Sequence, residues 1–157
     1  MTTGDPTGSA LRIAALVEHA PEVDQNLGAF RAAATATVPR RIAELCRLRI
    51  AMLHDCAAEL AAGSDAVSSD EMAALGDWPG SDHFDERDRA CLALAEQFVI
   101  DVSTTNDDQV AAVAAHMNPG ELYGFIHALL ALDESQRLRV ATERLFGPDP
   151  ATSGGPP

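Results

Sequence analysis

The stretch Arg40–Glu59, RRIAELCRLRIAMLHDCAAE, decides how the rest of the chain is read. Ile42, Leu45, Leu48, Ile50, Met52 and Leu53 recur at three- and four-residue steps, the spacing of a helix with one buried face. Pro39 suits the first helical turn, where its missing N–H costs nothing. The character then changes, because His54-Asp55-Cys56-Ala57-Ala58-Glu59 is polar and reactive. Nowhere else does apolar helical periodicity coexist with a cysteine, a histidine and spaced carboxylates.

Glu44 and Cys56 are twelve residues apart. On one unbroken helix they would lie ~18 Å apart along the axis and roughly 120° apart around it. They meet only if the chain bends near His54-Asp55. Asp55 is expected to cap a second short helix that begins at Cys56. Such a restart puts the Cys56 sulfur near the positive end of a helix dipole, and Glu59, three residues on, shares its face.

Outward from this stretch the pattern stays helical. Ser9 to Ala20 carries Leu11, Ile13, Leu16 and Val17, and Pro21 opens a second helix with Val23, Leu27 and Phe30 inward. After Glu59 comes a loop over 63–67, then Ser68-x-x-Glu71, a capping box ahead of Met72 and Leu75. Gly76–Ser81 reads as a turn. Asp85–Ile100 is a long helix, Thr104–Asn106 breaks it, Asp107–His116 is a shorter one, and Pro119 opens a last helix to about Phe146, where Gly147-Pro148 stops it. No stretch alternates with period two, so no sheet is expected. The expectation is an all-α, single-domain bundle of about six to seven helices. It spans residues 9–146, with disordered tails at 1–8 and 147–157.

Composition narrows the partners. Of 157 residues 46% are hydrophobic but only 4% aromatic, so alanine-rich helices bury little area each and self-association is expected to complete the core. Twenty-four acidic residues face eleven basic ones, all arginine, and a net charge of −13 argues against nucleic acid and anionic membranes. No apolar run approaches the ~20 residues that a membrane helix needs. Three cysteines, an odd number, and no signal-peptide pattern point to the cytoplasm. Cys46 and Cys91 fall in apolar periodic runs and are assigned to the core, and Trp78 and His127 to core or interface. His54, Cys56 and Glu59 are too close together for a typical metal site, and no cofactor fingerprint is present.

The order and spacing of these pieces resemble the carboxymuconolactone decarboxylase/alkylhydroperoxidase D (AhpD-like) superfamily. Its peroxidase members read Glu, eleven residues, then Cys-x-x-Cys-x-x-x-His. Glu44 and Cys56 match the first two elements, while Glu59 stands at the second cysteine and Gly63 at the histidine. The Cys-x-x-Glu form is similar to the decarboxylase-like branch. His19-Ala20-Pro21-Glu22 is similar to the turn between the family's first helices, and Trp78, Phe84–Ala90 and Pro119–Leu138 to its later segments. The resemblance implies an AhpD-like bundle, assembled as a dimer to hexamer, with Glu44, Cys56, Glu59 and His54 as catalytic candidates.

Each candidate also has a plain structural role open to it. Cys56 suits a small buried hydrophobe, Glu44 a solvated partner of Arg40 or Arg41, Glu59 a first-turn acid, and His54 a helix-end residue. An ionised Glu59 ~4 Å from the sulfur opposes a thiolate by up to ~4 kcal/mol, against ~0.3–1 kcal/mol from the dipole. With no resolving thiol at Glu59, an intramolecular dithiol relay is not expected. Three chemistries follow. The first is proton transfer by Glu44 and Glu59, assisted by Cys56 or His54, on a small cyclic or unsaturated acid or lactone. The second is a thiol peroxidase using Cys56 and an external reductant. The third is a non-catalytic small-molecule-binding oligomer.

Overall fold

Seven α-helices and two 3-10 segments, with no strand, make up the described residues 17–146 of the computed structural model. Of the helix expected over Ser9–Ala20, residues 17–20 are described, of which 17–19 are helical and stand ahead of those seven, and both expected tails lie outside the described residues. The elements are α1 (Pro21–Thr35), α2 (Arg40–His54), α3 (Ala57–Ala61), α4 (Ser69–Ala74), a 3-10 segment (Leu75–Gly80), α5 (Glu86–Asp101), a second 3-10 segment (Val102–Thr104), α6 (Asp107–Ala114) and α7 (Pro119–Phe146).

Polar residues fix where the helices start. Ser68 and Glu71 close the capping box expected at α4, and Asp85/Asp88 and Asn106/Gln109 do the same at α5 and α6. Asn118 and Glu121 exchange the same pair of bonds at the head of α7, at 3.0 and 2.9 Å. Each cap satisfies donors that the first turn leaves unpaired, a contribution of about 1 kcal/mol. The expected first-turn proline of α2 stands one position earlier: Pro39 is the N-cap and the helix begins at Arg40.

α2 is the axis of the bundle, packed against α5 on one side and α7 on another, with α1 lying along α7. Eight of its fifteen residues are buried. Ile42, Cys46 and Ile50 enter one apolar cluster with Leu94, Phe125 and Leu129, while Leu45 and Leu48 enter another with Leu75, Trp78, Phe84 and Leu92. Cys46 and Cys91 are buried in the first cluster, as the periodicity implied. α7 comes so close to the α1–α2 turn that a Cβ on Gly124 would stand 1.8 Å from Thr37 Oγ1.

α1 departs from expectation. Val23, read as inward, is 60% exposed, and Ala34 is the one residue of α1 that is buried. The helix meets the core through its C-terminal end, where Phe30 packs against the first cluster. No helix among the described residues is long and apolar enough to cross a membrane.

Candidate active site

The chain does bend after His54. Asp55 takes a left-handed conformation (φ 55°, ψ 42°), its N–H donates to the Met52 carbonyl, and the Cys56 N–H donates to the Ala51 carbonyl at 2.9 Å. This pair of bonds is a Schellman turn, which closes α2 and aims the chain back along it. Asp55 therefore ends the first helix and does not cap the second. Cys56 holds the N-cap position, and α3 begins at Ala57. Asp tolerates the left-handed region better than most residues, which lets the bend form without glycine.

The bend carries Glu59 back alongside α2, and what it meets there is Arg47. The guanidinium is almost wholly buried, with 7% of its side chain exposed, and all its donors are used. Nε and Nη2 donate to the Glu44 carboxylate at 2.9–3.2 Å. Nη1 donates to Glu59 Oε2 and to the Glu59 carbonyl, both at 2.9 Å, and Nη2 also to the Gly63 carbonyl at 2.5 Å. Gly63 sits at φ +62°, a conformation that suits glycine and ends α3 with its carbonyl turned inward. Arg31 and Arg139 approach the Glu59 carboxylate to 3.8 Å from two further helices. Behind Arg47, the fully buried Gln136 of α7 donates Nε2 to the Arg47 carbonyl at 2.9 Å, and its own Oε1 has no partner among the described residues.

This arrangement sets the charge states. Partial burial pushes the Glu44 carboxyl up, but hydrogen bonds from Arg47 and Ser64 and the charges of Arg47 and Arg40 outweigh it, and the net position is below the usual carboxylate value. Burial likewise works against the Arg47 cation, and Glu44 and Glu59 more than restore it. The Glu59 carboxylate, expected to face the Cys56 sulfur, lies among three guanidinium groups, those of Arg47, Arg31 and Arg139.

Glu44, a quarter exposed, opens onto a cleft of about 550 Å³ between α1 and α2. Its polar wall is Arg31, Arg40, Arg47 and Glu44, and its apolar wall includes Ala32, Val38, Ala43 and Leu132. A small molecule with one charged end fits such a lining.

No family model and no curated protein matches the sequence. Among solved structures, this chain is similar to a protein of unknown function from Agrobacterium tumefaciens that is provisionally assigned as the antioxidant defence protein AhpD. The TM-score is 0.72 at 21% identity, over 85% of this chain and 96% of that one. The chain has the AhpD-like fold.

On that AhpD-like frame the four sequence candidates separate into groups. Glu44 and Glu59 are brought together, through Arg47 rather than directly. Cys56 follows the bend at the head of α3 with no exposed surface, and its sulfur has no hydrogen-bond partner among the described residues. His54 turns elsewhere. Its Nε2 lies 2.6 Å from Asp133 Oδ1 on α7, and Asp133 also accepts from Arg137 at 2.9 Å. No hydrogen bond joins this pair to the Arg47 cluster among the described residues. Glu44 pairs with Arg47 and not with Arg40 or Arg41, which hold Asp65 and the Glu71/Asp88 pair.

Trp78 and His127, expected in core or interface, make local contacts outside the cleft. Trp78 is buried and donates Nε1 to Glu96 at 2.8 Å, and His127 donates Nδ1 to the Tyr123 carbonyl at 2.8 Å with its ring tilted against that of Tyr123. Burial raises the Cys46 thiol well above its usual value and the Cys91 thiol to about 12, which leaves both unreactive. The residue that sequence reasoning missed is Arg47. Its signal was present: an arginine flanked by Cys46 and Leu48 on the buried side of α2, three residues after Glu44 and twelve before Glu59.

Proposed function

We propose that the AhpD-like bundle serves a carboxymuconolactone decarboxylase-like activity, acid/base chemistry on a small cyclic or unsaturated acid or lactone in the Glu44 cleft. One observation carries this reading: Glu44 is the carboxylate that lines the cleft, and Arg47 keeps it ionised at neutral pH. An ionised carboxylate beside an apolar wall accepts a proton from a carbon next to a carbonyl. It can return that proton at a neighbouring position of the same substrate. Negative charge developing on the substrate oxygen faces the guanidinium side of the cleft. Glu59 then acts as a positioning residue, holding Arg47 and through it Glu44.

Turnover of a panel of unsaturated lactones and carboxylic acids tests the reading. Glu44→Gln should abolish it and Glu59→Gln should depress it severely, whereas an unchanged Glu44→Gln rate removes Glu44 from the chemistry. The provisional assignment of the Agrobacterium protein to antioxidant defence favours a second reading. In it, the Cys56 thiol attacks a hydroperoxide, giving a sulfenic acid and an alcohol; one external thiol condenses with the sulfenic acid to a mixed disulfide and water, and a second releases Cys56 as the thiol and leaves as the external disulfide. Labelling of Cys56 by a sulfenic-acid probe after peroxide supports that route, and an inert Cys56 rejects it.

The same reading includes self-association. α7 leaves Tyr123, Leu130, Leu138 and Leu145 exposed, an apolar set suited to a second copy of the chain. Light scattering at working concentration reads the assembly directly. Three free, buried cysteines suit a reducing compartment.

A further inference from the structure

Resting on that reading of the cleft, we infer that its substrate enters as a carboxylate and that Arg31 selects it. The argument is an account of donors. Arg47 lines the cleft but has no donor left, since Glu44, Glu59 and the Gly63 carbonyl take them all. Arg40 spends only Nη2 on Asp65, but its side chain is 72% exposed, so water screens any ligand that pairs with its remaining donors. Arg31 makes no side-chain hydrogen bond among the described residues, and its nearest carboxylate oxygen, on Glu59, stands 3.8 Å away, beyond hydrogen-bond reach. Glu59 does not depend on Arg31, because Arg47 holds it at 2.9 Å and Arg139 faces its other oxygen.

Among the described residues Arg31 is thus a cation paired only at 3.8 Å, with its planar fork of donors open, on the wall of a cleft whose lining carries three arginines and one carboxylate. That local excess of positive charge runs against a chain whose net charge is −13. A guanidinium fork matches a carboxylate bidentately. The apolar body of such a ligand rests on Ala32, Val38 and Leu132, and Glu44 discourages a second negative group beside it. The substrate class is therefore a small monocarboxylate, and a neutral lactone or amide of the same shape is discriminated against.

Calorimetric titration of the full chain with benzoate, an unreactive cyclic carboxylate, against benzamide, its neutral counterpart, tests this. Benzoate should bind about tenfold or more tightly than benzamide, the scale of a charge-assisted pair. Arg31→Gln should erase that preference with the melting temperature preserved, and Arg31→Lys should retain part of it. Equal binding of the two probes, no benzoate binding at all, or an undiminished preference in Arg31→Gln overturns the inference. Because neither probe turns over, failure here leaves the role of Glu44 standing. Conversely, a Glu44→Gln variant that still discriminates between the probes, yet keeps its turnover, removes the acid/base reading and leaves the carboxylate site intact.

Discussion

α2 carries two clusters built from the same parts, one arginine between two carboxylates, six residues apart and roughly 120° apart around the helix. In the first, Arg41 donates to Glu71 and to the buried Asp88. Both carboxylates there also close capping boxes, so the charges lock the starts of α4 and α5 against α2. In the second, Arg47 holds Glu44 and Glu59, and neither of these caps a helix. Instead one faces a cleft and the other has two more arginines within 4 Å. An ion cluster whose members all serve backbone ends is scaffold. One with a carboxylate open to a cleft and an arginine to spare has capacity left for a ligand.

Four measurements break or sharpen this contrast. The largest effect expected is on stability. Arg47→Met removes the only ion-pair partner of Glu44 among the described residues, leaves Glu59 with just its two 3.8 Å contacts, and should cost about 3–5 kcal/mol in urea unfolding. Arg41→Met should cost less, because the Ser68 and Asp85 backbone N–H groups still hold Glu71 and Asp88 once the partly exposed Arg41 is gone. Equal losses would mean that the two clusters are both plain scaffold.

On activity, Glu44→Gln should lower turnover by about 10²–10⁴-fold, while Glu71→Gln leaves the rate per folded molecule unchanged. A Glu71→Gln enzyme as impaired as Glu44→Gln would erase the division.

The third contrast is in acid. The Ser68 backbone N–H, with further help from Arg41 and the Ser68 hydroxyl, holds Glu71 at about 2, against an ordinary value of 4.5. A folded value below the unfolded one means stabilisation that is complete above about pH 4.5 and lost as pH falls towards 2. Melting temperature should drop through that window, and Glu71→Gln should flatten the drop. Glu44, also held low, adds in the same direction. A Glu71→Gln profile as steep as wild type would place the acid sensitivity elsewhere.

The smallest effect concerns the bend that only the second cluster needs. Asp55→Gly relieves a left-handed residue and should raise stability by about 0.5–1 kcal/mol with turnover unchanged. A loss of turnover would show that the Asp55 side chain matters beyond its backbone.

Local features were readable without coordinates. The helix periods, the Ser68 capping box, the stop after His54 and the core placement of Cys46 and Cys91 all follow from contacts within one or two turns of chain. The side of α1 that turns inward was not, since Val23 sits in an acceptable apolar period and yet lies at the outer end of a helix that meets the core elsewhere. Nor was the partner of Glu44. Arg40, Arg41 and Arg47 all lie within four residues of it, and only the return of α3 selects among them.

By itself the chain of residues determined an all-α bundle, a break after α2 and which acids stand near it, because hydrogen bonding and apolar spacing along a helix act over a few residues. Tertiary structure decided that one buried guanidinium would join Glu44 to Glu59, that His54 would turn to Asp133, and that Arg31 would keep its donors open on the cleft among the described residues. Those outcomes depend on which helices come to lie side by side, so that Arg47 meets Glu59 12 residues away and His54 meets Asp133 79 residues away, each pair largely out of water. There the strength of each charge is set by its neighbours and not by its own place in the sequence.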